Sequence, residues 1–267
     1  MSSSQRIGVF DSGVGGLTVV KALLARLPSE SLVYLGDTAR VPYGTKSAEV
    51  VTRYSLLNAN FLLQHDLKAL VVACNTASAA CLPALQAALP VPVVGVIEPG
   101  ARAAVAATRS RRVGVIGTPG TLRSEAYQRA LLAADPAIQV VARACPLFVP
   151  LAEEGWTDGD DEVVVAVARR YLGELGRGEL DTLVLGCTHY PLLKDAIAQV
   201  MGPQVVLVDS AEATANAVAQ LLSERDLLRT AEPVPPRFFV TDLPERFAAV
   251  GARFLGRSVE HAEQVDL

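Results

Sequence analysis

The sequence predicts an α/β protein with mainly parallel sheets, arranged as two similar halves. Short apolar runs rich in Val, Ile and Leu alternate along the chain with longer amphipathic stretches rich in Ala and Leu. The short runs are apolar at consecutive positions, which is typical of strands covered by helices on both faces. In addition, the segment LKALVVACNT, from Leu67 to Thr76, is similar to LDTLVLGCTH, from Leu180 to His189. The predicted class is therefore α/β, with three-layer domains.

The strand candidates share a short length and a high content of β-branched and aliphatic residues. Each is bounded by residues that favour turns or loops. In chain order they are Ile7–Phe10, Leu32–Leu35, Leu70–Ala73, Val91–Val96, Arg112–Ile116, Gln139–Ala142, Leu183–Leu185, Val205–Val208 and Arg237–Thr241.

The helix candidates lie between these strands. Their apolar residues recur every three or four positions, which places them on one face of a helix. In chain order they are Leu17–Leu27, Ala48–His65, Thr76–Leu89, Glu125–Ala134, Asp161–Leu175 and Ala211–Leu222. Strands that alternate with helices in this way predict crossover connections and parallel pairing.

An internal similarity indicates that the two halves have the same design. In both LKALVVACNT and LDTLVLGCTH, an apolar strand ends in a cysteine that polar residues follow. Upstream, RIGVF from Arg6 matches RVGVI from Arg112, at nearly the same separation along the chain. Self-similarity of this kind is the signature of a repeated structural unit. We therefore expect pseudo-symmetric domains, each with one strand that ends in a cysteine.

The chain continues beyond the second half through another helix, the Pro-rich segment PVPPR and a last strand. This tail is expected to return to the first half, which makes the first domain discontinuous. The predicted domains are residues 1–97 together with 207–267, and residues 98–206.

Composition and charge exclude several classes of protein. Of 267 residues, 51% are hydrophobic and 19% charged, so the chain can bury a substantial core. The formal net charge is −4 and the largest basic cluster is RSRR, from Arg109 to Arg112, so nucleic acid is not expected as a partner. No apolar run reaches the ~20 residues of a membrane span. The segment MSSSQRIGVF lacks the apolar core of a signal peptide, so we expect a cytoplasmic protein without membrane attachment.

The four cysteines of a cytoplasmic chain are expected to be free thiols. There is no CxxC pair and no Cys/His cluster at ligand spacing, so a metal site is not expected. Cys81, within a predicted helix, and Cys145, at the start of CPLFVP, are interpreted as buried core residues. Cys74 and Cys187 differ, because each lies at the carboxyl end of a predicted parallel strand, just before a helix. Ligands bind at this edge of open parallel sheets, and a helix N-terminus stabilises a thiolate.

Polar residues near these two cysteines favour acid/base chemistry. His189 lies two residues after Cys187 and can exchange a proton with it. His65 lies in the preceding helix, so Cys74 is expected to have Asp11, at the end of the first strand, as its partner. Hydroxyl and amide groups suited to a small polar ligand are those of Asn75, Thr76 and Thr188.

The loop DSGVGG, which begins at Asp11, lies between a strand and a helix and could bind a phosphate. However, a GxGxxG motif starting at Gly13 needs a glycine where Thr18 stands, and no GxxxxGK[ST] motif occurs. We therefore expect the glycines to form a tight turn that presents Asp11 and Ser12. Another loop at the same sheet edge contains Tyr43 and Gly44.

Two thiols at equivalent ends of two similar halves indicate a reaction on opposite faces of one carbon. One thiolate can remove a proton from a stereocentre while the opposite thiol returns one, which inverts the centre without a cofactor. Two other hypotheses compete with this one. A non-catalytic amino-acid-binding protein would need no thiol, and a covalent thiol hydrolase would need only one.

Several motifs occur in order along nearly the whole chain: FDSGVGGLT from Phe10, YLGDTARVPYG from Tyr34, VACNTAS from Val72, CPLFVPLAE from Cys145, LGCTHYPLL from Leu185, FFVTD from Phe238 and PERF from Pro244. In these motifs the chain resembles the cofactor-independent glutamate racemase family of the aspartate/glutamate racemase superfamily. The resemblance implies two α/β domains with the active site between them. It also implies interconversion of L- and D-glutamate, which supplies D-glutamate for peptidoglycan.

The resemblance also implies roles for individual residues. Cys74 and Cys187 would be the acid/base catalysts, with Asp11 and His189 assisting the proton transfers and Glu153 as a further assistant. The residues expected to hold the carboxylates and the ammonium of the substrate are Asp11, Ser12, Tyr43, Gly44, Asn75, Thr76, Thr188 and His189. No pyridoxal phosphate or metal is implied, and members are often homodimers in the bacterial cytoplasm. Racemisation of aspartate or another amino acid stays open, because the sequence does not give the selectivity for side-chain length.

Overall fold

The computed structural model describes residues 1–175 and 180–267. The strands are β1 (Arg6–Asp11), β2 (Leu32–Gly36), β3 (Leu67–Val72), β4 (Val93–Gly95), β5 (Arg112–Gly117), β6 (Gln139–Ala144), β7 (Thr182–Gly186), β8 (Val206–Asp209), β9 (Arg237–Val240) and β10 (Ala262–Gln264). The helices are α1 (Leu17–Arg26), α2 (Ala48–Leu63), α3 (Asn75–Ala88), α4 (Ile97–Ala107), α5 (Pro119–Arg123), α6 (Ala126–Ala134), α7 (Phe148–Glu154), α8 (Glu162–Leu172), α9 (Lys194–Met201), α10 (Ser210–Glu224) and α11 (Pro244–Leu255). Short 3₁₀ turns are formed by Thr38–Arg40, Tyr43–Thr45 and Tyr190–Leu193.

Two sheets organise these elements. Within the described ranges, one sheet has the order β10-β9-β2-β1-β3-β4 and the other the order β6-β5-β7-β8. Every pairing between these strands is parallel. The α/β class with parallel sheets is therefore confirmed.

Helices cover both faces of each sheet, as the distribution of buried side chains shows. In β1, Ile7 and Val9 belong to a core between the two sheets, whereas Phe10 belongs to a core on the outer face of the first sheet. In β7, Val184 faces the central core, and Leu183 faces a core on the outer face of the second sheet. Successive side chains of a strand point to opposite faces, so central strands such as β1 and β7 contribute to two cores. This explains why the strands are apolar at consecutive positions.

The two halves have the same topology, as the internal similarity predicts. The orders β2-β1-β3-β4 and β6-β5-β7-β8 are equivalent, with β1 matching β5 and β3 matching β7. RIGVF lies in β1 and RVGVI in β5, while Cys74 and Cys187 follow β3 and β7 near equivalent sheet edges. The expectation of two similar halves, each with a cysteine at the carboxyl end of one strand, is confirmed.

The C-terminal segment completes the first sheet. Strand β9 pairs with β2, and β10 pairs with β9 at the sheet edge. The second sheet includes β8, which starts at Val206 and ends at Asp209. The division into residues 1–97 with 207–267, and 98–206, stays a prediction.

Some elements were not predicted from the sequence. Helix α4 has the sequence IEPGARAAVAA, in which Pro99 and Gly100 resemble a turn. Proline is tolerated here because the N–H groups of a first helical turn have no intrahelical acceptor. Helices α5 and α7 are too short for their periodicity to stand out. None of the helices in the described ranges is long and apolar enough to cross a membrane.

Candidate active site

Cys74 lies where β3 passes into α3. It is the N-cap residue of the helix and only 6% exposed, and its Sγ is 3.9 Å from Ser12 Oγ in the loop after β1. Burial and the neighbouring Asp11 carboxylate raise the pKa of the Cys74 thiol, while the Ala77 N–H and the Ser12 hydroxyl partly offset them. This environment favours a protonated thiol at neutral pH.

Cys187 lies at the equivalent position after β7 and is also 6% exposed. Its Sγ is 3.9 Å from Nδ1 of His189, and the other ring nitrogen, Nε2, is 3.0 Å from Oε1 of Glu153 at the end of α7. Burial alone would lower the pKa of His189, but the hydrogen bonds and charges of Cys187 and Glu153 raise it to about 10. The same hydrogen bond lowers the pKa of Glu153, against the effect of its burial. The His189 ring therefore favours its protonated form, with a positive charge facing the Cys187 sulfur.

One loop contacts the surroundings of both cysteines. Ser12, which lies beside Cys74, and Gly15, which lies against Thr188 and His189, belong to the same loop after β1. The partners of the two cysteines differ, however. Cys74 has Asp11 and Ser12 as neighbours, whereas Cys187 has the His189–Glu153 pair.

Asp11 ends β1 and is fully buried. Its Oδ2 accepts a hydrogen bond of 2.9 Å from the Gly13 N–H, and its Oδ1 has no partner among the described residues. Burial raises the pKa of this carboxyl, while His189 and the backbone N–H groups of the glycine loop lower it. Asp11 is thus close enough to Cys74 and to His189, the neighbour of Cys187, to influence both.

The glycine loop after β1 lies directly against the second half, which the sequence did not predict. A Cβ atom at Gly15 would come within 2.2 Å of Thr188 Oγ1 and 2.5 Å of His189 Nδ1. Nearby, the Thr18 hydroxyl donates to the backbone carbonyl of Thr188 at 3.2 Å. A side chain at position 15 would collide with Thr188 and His189, which explains the glycine there. This explanation does not involve phosphate binding.

Three threonine hydroxyls form a cluster of hydrogen bonds between the two halves. Thr76 Oγ1 is 2.9 Å from Thr118 Oγ1 and 3.3 Å from Thr121 Oγ1. Thr118 is the N-cap of α5, so these contacts join α3 of the first half to α5 of the second. Thr118 and Thr121 were not predicted from the sequence, although Thr118 follows β5 in the same way that Ser12 follows β1.

Asn75 is held by a tyrosine that the sequence also did not indicate. The hydroxyl of Tyr127, in α6, donates to Asn75 Oδ1 at 2.7 Å. The amide nitrogen of Asn75 is buried and has no partner in the described part of the chain.

Tyr43 and Gly44 lie in a 3₁₀ turn next to Thr118. The Tyr43 hydroxyl donates to Asp37 Oδ2 and accepts from Asn58 Nδ2 at 3.0 Å, so it is fully engaged within the first half. A Cβ at Gly44 would come within 2.7 Å of Thr118 Cβ. These two residues can therefore offer backbone groups, and not the phenol, to a ligand.

The remaining cysteines are core residues, as predicted. Cys81 Sγ donates to the Ala77 carbonyl at 3.0 Å, and burial raises its pKa to about 11. Burial raises the pKa of Cys145 to about 12. All four cysteines are free. Residues 1–175 and 180–267 contain no cluster of His, Cys, Asp and Glu that could hold a metal ion.

The chain is similar to known proteins in sequence and in structure. The model of the Asp/Glu/Hydantoin racemase family matches residues 9–218. A glutamate racemase of Geobacter metallireducens is 61% identical over 262 residues, which cover 98% of this chain and 96% of that protein. The crystal structure of a glutamate racemase of Bacillus anthracis has a TM-score of 0.95 at 43% identity and covers 98% of both chains. A glutamate racemase of Francisella tularensis, solved in complex with D-glutamate, has a TM-score of 0.91 at 40% identity and covers 99% of this chain and 98% of that one.

Proposed function

The chain belongs to the Asp/Glu/Hydantoin racemase family, and from this premise we propose that it interconverts L- and D-glutamate by proton transfer between Cys74 and Cys187. The observation that carries the mechanism is the pair of buried thiols at equivalent strand ends, joined by the loop after β1 that contacts the surroundings of both. A relative that is 61% identical over nearly its whole length is a glutamate racemase, which favours glutamate over aspartate as the substrate.

The reaction inverts the α-carbon through a carbanion-like transition state. The thiolate of one cysteine accepts the α-proton as the C–H bond breaks, and the electron pair moves into the α-carboxylate. The thiol of the other cysteine then donates its proton to the opposite face of the same carbon. After one turnover the protonation states of the two cysteines are exchanged, so the reverse reaction uses the same groups in opposite roles.

Each thiol has polar neighbours that can assist its proton transfer. His189, whose pKa is about 10, places a positive charge beside Cys187 and is itself oriented by Glu153. Asp11 and Ser12 lie on the other side, where Asp11 can support the proton on Cys74. Each thiol therefore has a polar partner of its own, which a binding protein would not need.

The groups that hold the substrate are those that surround the thiols. Hydroxyl and amide donors suit the two carboxylates of glutamate, and Asp11 suits its ammonium. The donors are the side chains of Ser12, Asn75, Thr76 and Thr188, together with backbone N–H groups of Tyr43 and Gly44. His189 contributes a positive charge on the Cys187 side.

We also propose a metabolic role, a cellular compartment and an oligomeric state for the enzyme. The reaction supplies D-glutamate for peptidoglycan in the bacterial cytoplasm, which agrees with the free cysteines and with the bacterial sources of the relatives. A homodimer is proposed from the family resemblance, and sedimentation of the purified chain tests it.

Incubation of the purified chain with each enantiomer of glutamate in deuterated water tests the function. Loss of optical rotation from both enantiomers, with solvent deuterium at the α-carbon and no added cofactor, is the expected result. Faster racemisation of aspartate than of glutamate would overturn the choice of substrate. Binding without deuterium incorporation would overturn the enzyme itself.

A further inference from the structure

Tyr127 is a fully buried tyrosine of the second half whose hydroxyl reaches the first half. It lies in α6, and its Oη donates to Oδ1 of Asn75, the first residue of α3, at 2.7 Å. Asn75 directly follows Cys74. The hydrogen bond therefore joins a residue far from the reacting groups in sequence to one that adjoins a proposed catalyst.

The direction of this bond follows from its acceptor. The amide oxygen Oδ1 carries no hydrogen, so the Tyr127 hydroxyl is the donor. Burial raises the pKa of Tyr127, so its proton is retained. Ser210, the first residue of α10, lies beside Tyr127. Gly100 lies against this pair, since a Cβ there would come within 3.3 Å of Tyr127 Oη and 3.2 Å of Ser210 Cβ.

Because the Tyr127 hydroxyl bonds to Oδ1, the amide nitrogen is the end of the Asn75 side chain that has no partner. The nitrogen Nδ2 carries two N–H donors, is buried, and has no hydrogen-bond partner among the described residues. Buried donors of this kind are costly unless an acceptor satisfies them. Because Asn75 adjoins Cys74, an acceptor on the substrate can do so.

We propose that Tyr127 is a positioning residue that holds the Asn75 amide with its N–H donors, and not its carbonyl, toward a carboxylate of the substrate. Carbonyl and amino groups of asparagine have nearly the same shape, so an unconstrained amide can present either. A carbonyl would repel a carboxylate, whereas the amino group binds it. Tyr127 thus contributes to selectivity for an anionic group at this position. The inference rests on the proposed function, because it takes the carboxylate from glutamate.

A double-mutant cycle with Tyr127→Phe and Asn75→Ala tests the proposal. Loss of one neutral hydrogen bond predicts that Tyr127→Phe raises KM for both enantiomers about 3- to 10-fold, with kcat changed less than about 2-fold. In the Asn75→Ala background the same substitution should change KM by less than about 2-fold, since Tyr127 acts through Asn75. Tyr171→Phe is the matched control, because the Tyr171 hydroxyl accepts from the Leu147 N–H at 3.3 Å and, among the described residues, has no hydrogen bond to a residue of the proposed site. If Asn75→Ala is too slow to assay, the dissociation constant of D-glutamate from calorimetry replaces KM in the cycle.

The possible outcomes separate this inference from the proposed function. An active parent chain with an unchanged KM in Tyr127→Phe would overturn the inference alone, as would an equal rise in KM in the Asn75→Ala background. A parent chain that does not racemise glutamate would overturn the proposed function and this inference with it. Should Tyr127→Phe fail to fold, Asn75→Asp keeps the shape and the Tyr127 bond but removes the donors. We expect it to raise KM more than about 10-fold through like-charge repulsion, and an unchanged KM would contradict the proposal.

Discussion

His189 and Glu153 form a pair in which Nε2 lies 3.0 Å from Oε1, while the opposite nitrogen of the ring faces Cys187. The pair joins the end of α7 to the loop after β7. Since one ring nitrogen is held by a carboxylate, the other is directed at the thiol, and the ring favours its protonated form. The chemistry of Cys187 therefore depends on a residue that does not contact the sulfur.

Replacement of Glu153 by Gln is expected to lower the pKa of His189 from about 10, because the carboxylate that stabilises the imidazolium is lost. Racemisation should then decline at a lower pH than in the parent chain. The measurement is the pH profile of kcat/KM, with Glu154→Gln as the control, since Glu154 is the exposed neighbour of Glu153. If kcat/KM declines at the same high pH in both variants, Glu153 does not act through His189.

The charged His189 is also expected to contribute to stability in a pH-dependent way. Its pKa in the folded chain, about 10, exceeds the ~6.5 of an unfolded histidine. Its contribution is therefore full below pH ~6.5 and is lost as pH rises through the folded value. The difference in free energy of unfolding between the parent chain and His189→Gln should shrink between neutral pH and about pH 10. Urea titrations at several pH values measure it, and a constant difference would contradict the assignment of the proton to His189.

Each of the substitutions Cys74→Ser and Cys187→Ser should reduce racemisation about 10²- to 10⁴-fold, the usual contribution of an acid/base group. The fold should survive, because Ser is close to Cys in size. Cys81→Ala is the control, since Cys81 is a core residue of α3 and should leave the rate nearly unchanged. The two enantiomers have equal free energies, so kcat/KM must be equal in both directions for every variant. A single cysteine variant with the parent rate would exclude the two-thiol mechanism.

Gly15→Ala should abolish most activity while leaving each half folded. The added Cβ would lie 2.2 Å from Thr188 Oγ1, so the loop and the His189 ring must move apart. Gly13→Ala is the matched control in the same loop, because its Cβ meets only Val41 Cγ2 at an ordinary 3.5 Å. Racemisation rates and thermal unfolding of the two variants provide the comparison. Equal rates would mean that the loop does not position His189.

Lys68→Met should destabilise the chain without altering KM. Lys68 is a buried lysine of β3, and its Nζ lies 2.6 Å from Glu30 Oε2 and donates to the carbonyls of Ser3 and Leu227. Removing one member of a buried ion pair typically costs about 3–5 kcal/mol, because the other charge is left unpaired. Denaturant unfolding measures the loss, and Lys21→Met, at an exposed lysine of α1, serves as the control. A loss of less than about 1 kcal/mol would show that the pair is solvated.

The fold was largely predictable because its signals are local. Apolar runs of strand length, amphipathic stretches and turn residues indicate elements one at a time, and the repeat from β1 to β5 and from β3 to β7 indicates their common design. The same repeat identified Cys74 and Cys187 together. Helix α4 was missed because Pro99 and Gly100 resemble a turn when they are seen without their position in the first turn.

The sequence by itself determined the class of fold, the two cysteines and the resemblance to a racemase family. Only the tertiary structure decided which groups support them: Gly15 against His189, Thr118 and Thr121 beside Thr76, and Tyr127 on Asn75. These contacts cross between the two halves, so no periodicity or spacing along the chain records them. They arise because two parallel sheets bring their carboxyl edges together, so that a polar side chain buried there can have its partner in the opposite half.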